Sequence, residues 1–200
     1  MLKNYYVGKV RDLSMTKISL TELKKHLRTY EAEELVSIII DFYKSSEDVK
    51  KYMHMMMDPE STENQLFDEA KKKILHQFYP ERGEPKLKLA EAKKAISEFG
   101  KLCNNPAKTI DLMIYYVELG VEFTNDNGDM NESYYNSLVS MYQNALKKIS
   151  ADHGIGLYHA FRDRIRAIVK DTSDFDWFHD DLDQLFTDFA GEYEEDLVVG

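Results

Sequence analysis

Apolar side chains recur at three- and four-residue intervals from Leu20 to Phe189, and no segment alternates polar and apolar residues as a half-buried strand does. That periodicity restricts the chain to helices packed on helices. The predicted fold is all-α, about nine antiparallel helices with short connections. Ser19-Leu20-Thr21-Glu22 is a capping box that opens the first helix, with Leu20, Leu23, Leu27 and Tyr30 on one face. The second, about 32–43, is expected to bury Leu35, Ile38, Ile39 and Phe42; Ser46 opens the third, which carries Val49 and a run of Met and stops at Asp58-Pro59. Thr62 with Gln65 is the predicted cap of the fourth, and Pro80, Gly83 and Pro85 then interrupt the chain.

A fifth helix is expected over about 86–103, and Asn105-Pro106 begins a sixth whose apolar residues occupy several sides, marking it as central and buried. A turn at 125–129, a seventh helix to about Ile149, an eighth over about 157–169 and a ninth over 174–192 complete the series. The segments 17–27 and 86–96 share five identities in eleven positions, each ahead of a very apolar helix. Two related four-helix units, 17–80 and 86–172, stacked as a short HEAT-like array and closed by an acidic helix, account for this. The shared residues are also those any amphipathic helix uses, so composition accounts for it equally well. The expected organisation is an N-terminal extension over 1–15, one helical domain over 16–190 and an acidic tail over 191–200.

Charge is segregated. The segment from Asp171 to Gly200 holds eleven Asp or Glu and no Lys or Arg, whereas the first 170 residues hold 25 acids against 26 bases, so the net charge of −10 resides at the C-terminal end. A one-signed segment attracts cations and basic surfaces and repels nucleic acid. No apolar stretch reaches the roughly 20 residues of a membrane span, residues 1–11 lack the apolar core of a signal peptide, and Cys103 has no partner for an intrachain disulfide. These features lead us to expect a cytoplasmic protein with no membrane association.

Few residues group in a way that carries chemistry. Lys86, Lys93, Lys94 and Lys101 fall on one side of the fifth helix, able to grip phosphates or an acidic partner, though a solvated face is the simpler account. In the acidic helix Trp177, Phe178, Phe186, Phe189 and Tyr193 interleave with carboxylates. With Ser173 as cap, Asp174 and Asp176 would favour the helix N-terminus, whereas Asp180, Asp181, Asp183, Asp188, Glu192, Glu194, Glu195 and Asp196 lie past its reach and need a partner or solvent. The rings are therefore expected to pack on the body while the acids face outward to a basic protein surface, a partner's or this chain's own lysine stripe. His179-Asp180, with His153, His159 and Asp188, resembles a metal-hydrolase pattern at too short a spacing, and Asn125 to Asn131 lacks the glycine and glutamate of a calcium loop. No metal, cofactor or catalytic residue is expected. Cys103 reads as core.

Lys17-Ile-Ser-Leu-Thr-Glu-Leu-Lys-Lys, Lys86-Leu-Lys-Leu-Ala-Glu-Ala-Lys-Lys-Ala-Ile-Ser-Glu-Phe and Val121-Glu-Phe-Thr-Asn, with Gly128-Asp129 and Tyr135-Asn136-Ser137, resemble a bacterial all-helical domain family of unknown function, DUF6155, over about 16–189. The resemblance implies an all-helical bacterial cytosolic protein and carries no active site with it. Two functions follow as expectations: a non-enzymatic protein-interaction module using the acidic C-terminal helix (candidate residues Asp183, Asp188, Glu192, Glu194, Glu195, Lys86, Lys93, Lys94 and Lys101), or a small metal-dependent hydrolase or ligand-binding protein with a site built from dispersed His and Asp.

Overall fold

The computed structural model describes residues 18–151 and 155–198, and within them there are nine α-helices and no strand. They are α1 (Leu20–Leu27), α2 (Ala32–Ser45), α3 (Glu47–Met57), α4 (Pro59–Phe78), α5 (Leu89–Cys103), α6 (Pro106–Asn127), α7 (Glu132–Ser150), α8 (Ile155–Lys170) and α9 (Asp176–Val198). Contacts divide the chain into two units, residues 1–53 and 54–200.

In the first unit the local signals act as expected. Ser19 accepts from the backbone N–H of Glu22 while Glu22 accepts from the backbone N–H of Ser19, and these bonds hold the Glu22 carboxyl below its ordinary range. Ser46 Oγ accepts from the Val49 N–H at the start of α3. Packing departs from expectation, since neither α1 nor α2 contains a buried residue, nor does α3, whose residues 54–57 belong to the second unit. Ile39 and Phe42, expected in a core, are 46% and 57% exposed.

The second unit is a helical bundle built on α6, which contacts α4, α5, α7 and α8. Its fully covered residues, among them Ile110, Leu112, Ile114, Tyr116 and Val117, lie on all sides of the helix, because neighbours surround it. Each such side chain contributes about 1.5–3 kcal/mol through burial. Gly120 is needed where α6 meets α7: a Cβ there would sit 2.4 Å from Leu138 Cδ2. Buried phenols find acceptors, Tyr134 donating to the Gly120 carbonyl at 2.7 Å and Tyr142 to the Ile165 carbonyl at 3.2 Å. Burial pushes the Tyr116 hydroxyl up to about 12 and the Cys103 thiol, which is core as expected, up to about 11.

Three local expectations are corrected. Asp58, not Thr62, caps α4: its side chain accepts from the Ser61 N–H with Pro59 at the first helical position, while Thr62 is buried inside the helix. Helix α5 begins at Leu89 rather than Lys86, because Leu87 adopts a left-handed φ of 47° and its N–H bonds the Gln77 carbonyl. Helix α9 begins at Asp176, two residues past the expected start, so Asp174 precedes it and Ser173 is not its cap.

Candidate functional site

Helix α9 packs on α7 and α8 through its rings. Phe178, Leu182 and Phe189 are buried, Phe178 lies 4.5 Å from Tyr135 between ring centroids, and Tyr193 stacks on Tyr158 at 4.3 Å. Arg166 adds a cation to the Phe186 ring at 5.9 Å. The apolar residues fall at 178, 182, 185, 186 and 189, one side of a helix, so the acids between them are turned away. Asp180, Asp181, Asp183 and Asp188 are exposed, and Asp188 accepts only from Gln184 Nε2 one turn earlier, at 2.7 Å. Among the described residues no Lys or Arg pairs with these four acids, nor do they meet Lys86, Lys93, Lys94 or Lys101. The side chains of Glu192, Glu194, Glu195 and Asp196 lie outside the described residues.

The lysines are dispersed by the true start of α5. Lys86 lies ahead of the helix, and exposed Lys94 spends its charge on Glu98 one turn on, at 3.9 Å. Lys93 and Lys101 face a cleft between α5, α6 and α7, where they are joined by Lys148 of α7.

His179 has a structural task. Its Nδ1 lies 3.1 Å from the Val169 carbonyl and 3.3 Å from Thr172 Oγ1, and Thr172 donates to the same carbonyl at 2.8 Å, so the pair satisfies the C-terminal end of α8. His159 is exposed, and His153 lies outside the described residues. Among the described residues no group of three His, Cys, Asp or Glu side chains is placed to hold a metal ion. The turn expected at 125–129 starts later, and only residues 128–131 lie between helices: α6 continues to Asn127, Gly128 caps it at φ 87°, and Asn131 caps α7 by accepting from the Tyr134 N–H.

One ionic group escaped sequence reading. Arg164 of α8 donates from Nε and Nη2 to the two carboxylate oxygens of Glu118, each at 2.7 Å, and from Nη1 to Asp111 Oδ1 at 2.6 Å. The forked guanidinium thus serves two acids of α6, which raises its own pKa further, chiefly through the Glu118 bonds. The acids are 7 residues apart on the most buried helix, two turns along one face, and that spacing was the available signal.

The sequence model of one protein family matches residues 18–190. The chain belongs to DUF6155, a family of unknown function. The span matched by DUF6155 includes all nine helix starts, the four outward acids of α9 and the three cleft lysines. No curated protein and no solved structure matches the chain. Among the described residues of this DUF6155 protein, no helix is long and apolar enough to cross a membrane.

Proposed function

We propose that this DUF6155 protein is a non-enzymatic interaction module that binds a basic protein surface through the outward face of α9. The observation that carries the reading is the division of that helix: its rings other than Trp177, which is 43% exposed against expectation, are committed to α7 and α8, while Asp180, Asp181, Asp183 and Asp188 stay in solvent without a cation among the described residues. Asp180 stands four residues from Asp176 and three from Asp183, spacings at which like charges repel and disfavour the helix by a few tenths of a kcal/mol per pair. A basic partner removes that repulsion, and it gains long-range attraction because the excess negative charge of the chain lies in the same segment.

Truncation at Asp171 is an unsuitable test, since it removes Phe178, Leu182 and Phe189 from the core. Replacing the four outward aspartates together by Asn retains the buried face. Affinity capture from cytosol with the full chain is expected to yield basic proteins that elute as salt is raised, and the neutralised form is expected to lose them. Retention of the same proteins by both forms contradicts the reading.

A further inference from the structure

The cleft between α5, α6 and α7 has a volume of about 460 Å³, and every charged residue lining it is a lysine: Lys93, Lys101 and Lys148. Among the described residues none of the three has an ion-pair partner, whereas nearby cations do, Lys94 with Glu98 and Lys108 with Glu63. The N-terminal end of α6 opens onto the same cleft at Asn105 and Pro106, adding the positive end of a 22-residue helix. Gly100 brings α5 close to α6 beside it, since a Cβ there would lie 3.2 Å from Thr109 Cγ2. Ser97 and Asn144 supply polar groups that make no side-chain hydrogen bond among the described residues, and Ile96, Met113 and Met141 supply an apolar wall.

We propose that this cleft binds a small phosphate-bearing organic molecule, its phosphate among the three ammonium groups and its apolar part against Ile96, Met113 and Met141. Three cations line the cleft with no anion among its charged lining, and a dianion supplies more of the missing counter-charge than a single carboxylate does. The cleft's volume is that of a small-molecule site. The net charge of −10 disfavours a nucleic-acid strand, whose affinity rests on many phosphate contacts at once. The site is separate from the acidic face of α9 and does not depend on it.

Titration calorimetry on the full chain at low salt, with phenyl phosphate and inorganic phosphate as probes, tests this. Phenyl phosphate is expected to bind at one site and more tightly than inorganic phosphate. K93A, K101A and K148A are each expected to weaken it about tenfold, the effect of losing one charge-assisted contact. K94A, outside the cleft, is expected to leave binding unchanged. N144W, which blocks the cleft without altering charge, is expected to abolish binding while circular dichroism shows retained helix. Absence of saturable phenyl phosphate binding to the unaltered chain, equal affinity for both probes, equal weakening by K94A and K101A, or binding retained in N144W would overturn the proposal.

Discussion

Helices α2 and α6 are both rich in apolar residues, yet α6 buries twelve of its 22 residues and α2 buries none of its 14. The difference lies in what surrounds them. Four helices close around α6, and its Ile114 is 1% exposed, while in α2 Ile39 is 46% exposed and Val36 52% exposed. Both helices have the intrinsic signals to form, including an acidic first turn in α2 and an Asn-Pro start in α6. An apolar stripe therefore states that a face is suited to cover and leaves open what covers it. Stability follows the covered helix.

The largest effect is expected from a truncation in the covered helix. Ile114→Ala is expected to destabilise the protein by about 2–5 kcal/mol in urea unfolding, because it opens a cavity in a packed core. A loss below 1 kcal/mol would show that the bundle relaxes around the gap.

A second contrast uses alkali. Burial raises the Cys103 thiol from 9.0 to about 11 and the Tyr116 hydroxyl from 10.0 to about 12, and both groups are in the bundle. The unfolded chain releases these protons first, so the folded form holds more protons within those intervals and its stability falls as pH rises from about 9 to about 12. Thermal melts across that range are expected to shift downward, and Cys103→Ala is expected to flatten the first part of the fall.

Arg164→Ala sharpens the comparison at the surface of α6. It leaves Glu118 and Asp111 without their shared cation, but the arginine side chain is 35% exposed and water screens the loss, so about 1 kcal/mol is expected. Raised salt should shrink the difference. The smallest effect is assigned to Ile39→Ser, within about 0.5 kcal/mol of the unaltered chain, as for an exposed position.

Much of the fold is legible in the sequence because its signals are local. The Ser19–Glu22 capping box, the Asn105-Pro106 start of α6 and the stop after Met57 each depend on residues within one turn, and each is where the pattern places it. The central place of α6 follows from apolar residues on every side. What was illegible depends on residues distant in sequence. Lys148 joins Lys93 and Lys101 only because α5 and α7 both pack on α6, and Arg164 reaches Glu118 and Asp111 across 46 and 53 positions. The misplaced start of α5 has a local cause that periodicity does not report: the left-handed Leu87 holds Lys86 off the helix, and with it one member of the expected lysine stripe. The sorting of α9 into a ring side and an acid side was legible, since it needs only helical spacing.

The contrast between the covered and uncovered helices is tested most directly by native-state hydrogen exchange, residue by residue, under conditions where each amide reports its own opening free energy. Amides of α6 between Leu112 and Thr124 are expected to exchange only through global unfolding, and those of α2 between Val36 and Phe42 through local opening, at least about a hundredfold faster. Equal protection in the two helices would contradict the account, because α2, with Ile39 and Phe42 exposed and no residue buried, has no covered face to hold its amides closed.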